Sequence, residues 1–306
     1  MIVIDQRPPP SDYVGSLGRF VIGDVRDLHG MRDVLAKQSV RAVVHIAGVK
    51  SVPDSMTDPH RYFDVNTVGT LRILEAMRGA GIEHMVFSSS AAVYGQPETV
   101  PISEDAPLRP ENPYGESKAS SERLLAWWDQ CFGMRHVALR YFNAAGAADD
   151  ARTGEPIAGA GNLIPVVLQA VLDEQPVRVF GTDYPTPDGT AIRDYIHVDD
   201  LADAHVRAID YLLGGGSSTT LNLGSGRGAS VAEVVAAAEA VSSRPVLVEH
   251  ARRRPGDPPA VWADPARASR VLGWRAKRDL NDIMVSAWRW HSLHHELQGD
   301  GPAASG

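Results

Sequence analysis

The stretch TVGTLRILEAMRGAGIEHMVFSSS, residues 67–90, joins a helical pattern to a short apolar strand pattern. Similar alternation occurs before it, in IVID (2–5), RFVIGD (19–24), LHGMRDVLAKQ (28–38) and RAVVHIAG (41–48). This rhythm indicates parallel strands joined by crossover helices. The apolar strands lack polar alternation, as expected when helices cover both faces of a sheet. The sequence therefore predicts an α/β protein with a doubly wound parallel sheet.

The rhythm breaks after VALRYFNAAGA, residues 137–147. A loop-rich stretch follows from Ala147 to about Asn162, and a second loop, GTDYPTPDGT, occupies residues 181–190. They indicate excursions into a second, smaller α/β lobe.

Composition excludes several classes of protein. The 306 residues carry a formal net charge of -8, and the pI is near 5.7. This balance argues against binding to nucleic acid or to a membrane surface, both of which require a broad basic face. The single cysteine, Cys131, excludes an internal disulfide and fits a reducing compartment. We expect a cytoplasmic protein.

The heptapeptide NPYGESK, residues 112–118, carries the main chemical signal. Pro113 suits the first turn of a helix, so Tyr114 and Lys118 are predicted to lie one turn apart on one face. An ammonium group ~4 Å from a phenol lowers its pKa by roughly two to three units at an intermediate dielectric. Tyr114 is then a usable base near neutral pH, and Ser90, from a neighbouring strand end, is expected to share the proton. The alternative is an ordinary amphipathic helix with a surface Tyr and Lys.

Many stretches together resemble a known family, the extended short-chain dehydrogenase/reductases, and within it the UDP-glucose 4-epimerases. The similar stretches are GDVRD (23–27), VVHIAGVKSV (43–52), FSSSAAVYG (87–95), NPYGESK (112–118), LRYFNAAGA (139–147), GNLIP (161–165), FGTDYPTPDGTAIRDYIHVDDLADAH (180–205), LNLGSG (221–226), RRRPGDPPAVWAD (252–264) and LGW (272–274). The block from residue 180 to 205 is the most specific. The resemblance implies a Rossmann-type NAD-binding domain over residues 1–146 and 195–226. It implies a UDP-sugar-binding lobe over 147–194 and 227–306.

The resemblance also implies a reaction. Tyr114 removes the proton of the sugar 4-hydroxyl, Ser90 bridges to the 4-oxygen, and Lys118 holds the nicotinamide ribose. NAD takes the C4 hydride and returns it to the other face of a 4-keto sugar. The family is commonly dimeric, so a homodimer is expected. No metal is implied.

Further site residues follow at the positions that match the family. The cofactor-binding set is Asp5, Asp24, Val25, Ala47, Gly48, Lys50, Tyr114, Lys118 and Phe142. The substrate-binding set is Ser90, Asn143, Asn162, Leu163, Val179, Phe180, Arg193, Arg254, Asp257 and Val261. Independently of the family, two arginines suit a diphosphate because a guanidinium binds phosphate oxygens in a fork. Val261 is expected to leave room for N-acetylated sugars, whereas a tyrosine in that place excludes them.

The sequence departs from the family pattern at its beginning. Asp5 matches the acidic residue that ends the second strand in relatives, so the first strand, its G-x-x-G-x-x-G turn and the first helix are expected to be absent. That turn binds the cofactor pyrophosphate, and a polypeptide starting at Met1 is expected to purify without NAD. Either the natural start lies roughly thirty residues earlier, about one strand and crossover helix, or this is a decayed copy. A second departure is Val65, where many relatives carry an asparagine; Asn66 stands next to it.

Other interpretations remain open. A truncated, inactive sugar-nucleotide-binding relative fits the missing turn, and a dehydratase or decarboxylase of the same superfamily is the enzymatic alternative. Those enzymes typically need acidic groups beside Ser90, whereas Ala91 and Ala92 follow it. LNLGSGRGAS, residues 221–230, is interpreted as a turn and helix cap, because Ser230 and Glu233 form a capping-box pattern. The group of His197, Asp199, Asp200 and His205 is interpreted as an acidic helix start and not as a metal site.

Overall fold

The computed structural model describes residues 1–9, 11, 15–37, 39–156, 161–254 and 256–299. The chain divides into two compact units. The first comprises Met1–Gln96, Asp105–Arg140 and His205–Leu221, and the second comprises Pro97–Glu104, Tyr141–Ala204 and Asn222–Gly306.

Thirteen strands occur in the described residues. They are β1 (Ile2–Asp5), β2 (Arg19–Ile22), β3 (Val43–His45), β4 (His84–Ser90), β5 (Arg135–Tyr141), β6 (Asn143–Ala145), β7 (Val177–Phe180), β8 (Ile192–Arg193), β9 (Tyr195–His197), β10 (Thr219–Leu223), β11 (Ala229–Ser230), β12 (Val248–Ala251) and β13 (Ala260–Val261). The sheet orders are β1-β2, β10-β5-β4-β3, β11-β8-β13, β12-β7 and β6-β9. The pairs β1–β2, β3–β4, β6–β9, β7–β12 and β8–β13 are parallel.

Helices connect most of these strands. The α-helices are Leu28–Ala36, Val52–Thr57, Pro59–Tyr62, Gly69–Ala80, Pro113–Phe132, Leu163–Leu172, Val198–Leu213, Val231–Ser242, Ala266–Leu272 and Leu280–Gly299. A π-helical turn spans Phe63–Val68, and a 3-10 turn spans Ala91–Tyr94. The predicted α/β fold with parallel sheets is confirmed. None of the helices in the described part of the chain combines the length and apolar character needed to cross a membrane.

In the described residues, β1 and β3 belong to two different sheets. Within the described residues, β1 pairs only with β2, and β3 pairs only with β4. Ile4 of β1 and Val43 of β3 nevertheless pack against the same hydrophobic core, which includes Met77, Phe87 and Leu125. In the described part of the chain, β1 and β3 therefore contribute to one core without sharing a neighbouring strand.

The helix predicted from Thr67 begins later than expected. Thr67 and Val68 belong to the π-helical turn, and the α-helix starts at Gly69. The carbonyl of Asn66 accepts hydrogen bonds from the hydroxyls of Thr70 and Ser121. Hydroxyl groups that enter the backbone ladder in this way favour local widening of a helix. The helix ends as expected at Gly81, which adopts φ 69°.

The second unit has its own hydrophobic core. It includes Ile164, Leu168, Val234 and Met284. The interpretation of LNLGSGRGAS as a turn and helix cap is confirmed: Ser230 caps the Val231–Ser242 helix, and Glu233 completes the capping box.

Candidate active site

Ser90 and the start of the Pro113–Phe132 helix come together in the first unit. β4 ends at Ser90, whose hydroxyl accepts a hydrogen bond from the backbone N–H of Ala92 at 3.2 Å. Gly115 lies directly on this turn, because a Cβ placed there would be only 2.4 Å from the carbonyl oxygen of Ala92. No side chain fits at Gly115. The close backbone contact brings the first helical turn, and with it Tyr114, to the end of β4.

The sequence around Tyr114 fixes where the helix begins. Asn112 is the N-cap, and its side chain accepts a hydrogen bond from the N–H of Gly115 at 2.9 Å. Pro113 occupies the first turn, where its missing N–H costs nothing. The ring of Tyr114 meets the ring of Tyr62 edge to face, with centroids 6.3 Å apart. Tyr62 is itself held by a hydrogen bond from its hydroxyl to the carbonyl of Ser51.

Lys118 lies one turn further along the helix and is buried. Its ammonium group donates a hydrogen bond to the carbonyl of Ser88 at 2.9 Å. Burial lowers the pKa of Lys118 to about 8, and the carboxylate of Glu122 opposes that shift. Gly48 borders the same ammonium: a Cβ there would be 3.5 Å from the Lys118 Nζ and 2.8 Å from the Asn66 Oδ1. Gly48 therefore packs closely against the side chain of Asn66, near the Lys118 ammonium, where any Cβ would clash.

Behind Lys118 lies a buried ion pair. Glu122 and Arg140 form two hydrogen bonds, of 2.9 and 2.6 Å. Ser89 donates to the same carboxylate at 2.5 Å, and Arg140 also donates to the hydroxyl of Tyr94 at 2.8 Å. This network joins the helix, β4, β5 and the turn that follows Ser90. It fixes the backbone from which Ser90 and Lys118 extend.

The remaining predicted cofactor residues of the first unit occupy strand ends and the loop after β3. The carboxylate of Asp5 accepts the N–H of Arg7 at 2.9 Å. Asp24 lies just after β2, where ion pairing with Arg26 lowers its pKa. Val25 is buried in the core. The loop after β3 carries Ala47, Gly48 and Lys50 of the predicted set. Between Gly48 and Lys50 lies Val49, whose N–H and carbonyl both bond with the side-chain amide of Asn66. The ninth residue of the set, Phe142, belongs to the second unit.

In the second unit, two arginines of the predicted substrate set take different partners. Arg193 forms an ion pair with Asp257, and both side chains are partly buried. The guanidinium of Arg254 stacks on the ring of Phe180, 4.0 Å from its centroid. Its neighbour Arg253 instead pairs with Asp183. A cationic surface beside an aromatic face suits a nucleoside diphosphate.

The other substrate candidates are also held in place. Asn162 precedes the Leu163–Leu172 helix but makes no capping hydrogen bond; its amide donates to the carboxylate of Glu155 at 3.0 and 3.2 Å. Asn143 donates from its side chain to the carbonyl of Asp194 at 2.8 Å. Val261 pairs with Arg193 across β13 and β8, and Val179 is buried in β7.

The acidic residues around His197 are confirmed as a helix start. The Val198–Leu213 helix carries Asp199 in its first turn. Asp149, His197 and Asp199 do converge within 4.8 Å. The guanidinium of Arg278 lies 2.6 Å from Asp149 and 3.5 Å from Asp199, so a protein cation already pairs with both carboxylates of this group. His205 lies in the first unit and bonds with Ser88.

Comparison with known proteins identifies the family to which this chain belongs. Residues 10–286 match the family model described as GDP-mannose 4,6 dehydratase. A UDP-glucose 4-epimerase of Lacticaseibacillus casei is 44% identical over 284 residues, covering 92% of this chain and 86% of the relative. The chain belongs to the UDP-glucose 4-epimerase family.

Two solved structures extend this result. One is the UDP-glucose 4-epimerase of Stenotrophomonas maltophila, crystallised with NAD and formylated UDP-arabinopyranose. It matches this structure with a TM-score of 0.93 at 38% sequence identity, and the match spans 97% of this chain and 91% of the Stenotrophomonas chain. The UDP-Glc/GlcNAc 4-epimerase of Campylobacter jejuni gives a TM-score of 0.83 at 36% identity, with coverages of 95% and 91%. The Rossmann-type fold predicted for this member of the UDP-glucose 4-epimerase family is thereby confirmed.

Sequence reasoning missed three residues that organise the site in this UDP-glucose 4-epimerase family member. Asn66 holds Val49, next to Gly48; the charge of Glu122 acts on Lys118; and the carbonyl of Asp194 accepts the amide of Asn143. One signal was available, because Glu122 follows Lys118 by four residues and so shares its helix face. For Asn66 and Asp194 the decisive partners are distant in sequence, and no local pattern identifies them.

Proposed function

We propose that this protein interconverts UDP-glucose and UDP-galactose by inverting C4 of the sugar, with NAD as its cofactor. The observation that carries the proposal is the arrangement of Ser90, Tyr114 and Lys118 at the end of β4. A phenol and a buried ammonium one helical turn apart, beside a serine hydroxyl, suit reversible removal of a proton from a secondary alcohol. Membership of the UDP-glucose 4-epimerase family supports the substrate.

The first unit suits a dinucleotide. The backbone of Gly48 lies near the Lys118 ammonium, and Lys118 is the residue proposed to hold the nicotinamide ribose. Asp5 is the last residue of the parallel strand β1 and is proposed to bind the adenosine ribose. Asp24, Val25, Ala47 and Lys50 complete this side, with Phe142 from the second unit proposed to lie beside the nicotinamide. When bound, NAD supplies the acceptor that takes the C4 hydride and returns it.

The chain's own residues manage the proton. Tyr114 accepts the proton of the sugar 4-hydroxyl and later returns it, while Ser90 holds the 4-oxygen by a hydrogen bond. The ammonium of Lys118 stabilises the phenolate form of Tyr114 by its charge. Because Lys118 is anchored to the carbonyl of Ser88, that charge keeps its place throughout the reaction. The 4-keto sugar then turns its other face to the same groups.

The second unit is proposed to hold the UDP group. Arg193 and Arg254 bind the diphosphate, and Phe180 offers an aromatic face to the uracil. Asn143, Asn162, Leu163, Val179 and Asp257 complete the substrate set. Arg193 is already oriented by Asp257, which reduces the entropy lost when the guanidinium binds phosphate.

We extend the proposal to N-acetylated sugars. Val261 is a small, half-buried residue at the end of β13, and it is proposed to border the sugar. An acetamido group at C2 needs space while the 4-keto sugar reorients, and valine leaves more space than tyrosine. The Campylobacter jejuni relative, named for both UDP-Glc and GlcNAc, shows that this family includes such activity.

A homodimer is proposed to form through the first unit. Trp127 and Phe132, on the Pro113–Phe132 helix, are 59% and 41% exposed. Arg78 of the Gly69–Ala80 helix stacks on the ring of Phe132. Exposed aromatic residues beside arginine are typical of protein interfaces. We further propose that the protein acts in galactose metabolism and that it is cytoplasmic, because its single cysteine fits a reducing compartment.

The proposed reaction is tested by incubating the purified protein with UDP-galactose, with and without added NAD, and measuring UDP-glucose by chromatography. Conversion in both directions to one equilibrium ratio supports the proposal. Release of a 4-keto-6-deoxy product instead indicates a dehydratase. Binding of UDP without any conversion indicates an inactive sugar-nucleotide-binding relative.

A further inference from the structure

We propose that Asp194 is a positioning residue for UDP-sugar binding, because it ties three segments that carry proposed substrate residues into one fixed arrangement. The inference rests on the proposed function. Asp194 lies between β8 and β9, directly after Arg193, and its side chain is completely buried. No local sequence pattern assigns it a role.

The carboxylate of Asp194 holds two separate segments by their backbone. Its Oδ1 accepts the N–H of Ser225 at 2.9 Å and the Ser225 hydroxyl at 2.7 Å. Its Oδ2 accepts the N–H of Ala263 at 3.0 Å. Ser225 follows β10 and Ala263 follows β13 by two residues, so one side chain joins the turn after β10 to the strand that carries Val261. Buried hydrogen bonds to a charged acceptor are among the stronger ones in proteins.

The backbone of Asp194 holds a third segment. Its carbonyl accepts both the N–H of Asn143, at 3.1 Å, and the side-chain amide of Asn143, at 2.8 Å. The amide orientation of Asn143 is therefore set by Asp194. On the other side, Arg193 pairs with Val261 in the parallel β8–β13 ladder. Asn143, Arg193 and Val261, all proposed to contact the UDP-sugar, thus share Asp194 as their common support.

A glycine permits this arrangement. A Cβ on Gly224 would lie 2.4 Å from Asp194 Oδ2 and 2.4 Å from the Ala263 side chain. The turn after β10 therefore approaches the carboxylate more closely than any other residue type allows. Gly224→Ala should displace the carboxylate from the opposite side without changing Asp194 itself.

The ionisation of Asp194 adds a second readout. Burial raises the pKa of its carboxyl to about 6, and the hydrogen bonds from Ser225 and Ala263 oppose that shift. Three charged residues lie close to these partners in sequence. Arg193 precedes Asp194 and is paired with Asp257, Arg227 follows Ser225 by two residues, and Asp264 follows Ala263 directly. Protonation replaces an acceptor by a donor and disrupts the junction. Substrate binding should therefore weaken as the pH falls through about 6.

Asp194→Asn tests the proposal because it keeps the size of the side chain but replaces the carboxylate by an amide. The group that faces the N–H of Ala263 is then either an NH2, which cannot accept a hydrogen bond, or an amide oxygen, which accepts one more weakly than a carboxylate. We expect UDP, measured by titration calorimetry, to bind at least ~10-fold more weakly. We expect KM for UDP-galactose to rise similarly, with kcat changed less than ~3-fold. The matched control is Asp200→Asn, which alters another buried carboxylate of the second unit, one that accepts the N–H groups of Lys277 and Arg278. It should leave UDP affinity within ~2-fold.

The outcomes separate clearly. Two results together support the positioning role. Asp194→Asn and Gly224→Ala should both weaken UDP binding. In addition, the wild type should lose UDP affinity below pH 6, whereas Asp194→Asn should not. The positioning role is overturned if UDP affinity is unchanged in Asp194→Asn, or if Asp200→Asn weakens it equally, which indicates general destabilisation. A wild-type protein that binds no UDP and converts no UDP-sugar overturns the proposed function itself, and the inference with it.

Discussion

The ammonium group of Lys118 donates a 2.9 Å hydrogen bond to the backbone carbonyl of Ser88, two residues before Ser90. The lysine is thus fixed to the strand that carries the serine as well as to the helix that carries Tyr114. A long side chain normally loses considerable rotamer freedom when it binds a ligand. Here that freedom is already lost in the folded protein, so the cation is pre-organised for its proposed partner.

Tyr114→Phe tests the proton transfer. Removal of the hydroxyl should lower kcat for UDP-galactose by ~100-fold or more, because general-base contributions are about 10² to 10⁴. UDP binding, measured by calorimetry, should persist because the proposed UDP contacts lie in the second unit.

Tyr62→Phe is the matched control for that variant. Tyr62 is buried, and its hydroxyl donates to the backbone carbonyl of Ser51. Its loss should cost about 1 kcal/mol of stability and leave kcat within a few-fold of wild type. Near wild-type turnover in Tyr114→Phe excludes Tyr114 as the base.

Glu122→Gln tests the buried ion pair behind the site. It leaves Arg140 buried without its counter-charge, and breaking a buried pair in this way typically costs about 3 to 5 kcal/mol. The measurement is the free energy of unfolding from urea denaturation. Glu116→Gln removes the partner of Arg123 in an exposed pair on the same helix and should change stability by about 1 kcal/mol or less. Equal stability of the two variants contradicts the assignment.

The burial of His45 should make the stability of the protein depend on pH. Its ring is buried beside Thr70, and burial, helped by the charge of Lys118, lowers its pKa to about 3. Between pH 6.5 and 3 the unfolded chain therefore binds a proton that the folded chain does not. Stability should fall with decreasing pH across this window, by about 1.4 kcal/mol per pH unit from this residue.

His45→Gln keeps a donor for Thr70 and removes the titration. The free energy of unfolding, measured by urea denaturation from pH 7 to 4.5, should depend less steeply on pH in this variant. His29→Gln changes an exposed histidine of the same unit and should leave the slope as in the wild type. An unchanged slope in His45→Gln shows that another group causes the acid sensitivity.

Val261→Tyr tests the proposed sugar range. The wild type should interconvert UDP-GlcNAc and UDP-GalNAc as well as UDP-glucose and UDP-galactose. The tyrosine ring should reduce kcat/KM for the N-acetylated pair by ~10-fold or more and leave the plain pair within a few-fold. A wild type inactive on N-acetylated sugars, or a variant with undiminished activity on them, contradicts the proposal.

Local chemistry made much of this protein predictable from its sequence. IVID and HMVFSSS coincide with β1 and β4. Short apolar runs between turn residues are too short for a helix and therefore indicate strands. Asn112 and Pro113 mark a helix start within a few residues. The Glu122–Arg140 pair was not predictable because its partners are 18 residues apart and on different elements. Asp194 bonds to residues 31 and 69 positions away, which only tertiary structure brings near.

The placement of β1 and β3 in separate sheets has a consequence for handling the protein. A strand at the edge of a sheet exposes backbone N–H and C=O groups that can form hydrogen bonds with strands of other molecules and so cause aggregation. Ile22 and Ile46, which end β2 and follow β3, are 61% and 62% exposed and add apolar surface. The 306-residue chain should therefore show concentration-dependent turbidity and low refolding yields, and dilution or mild denaturant should relieve both.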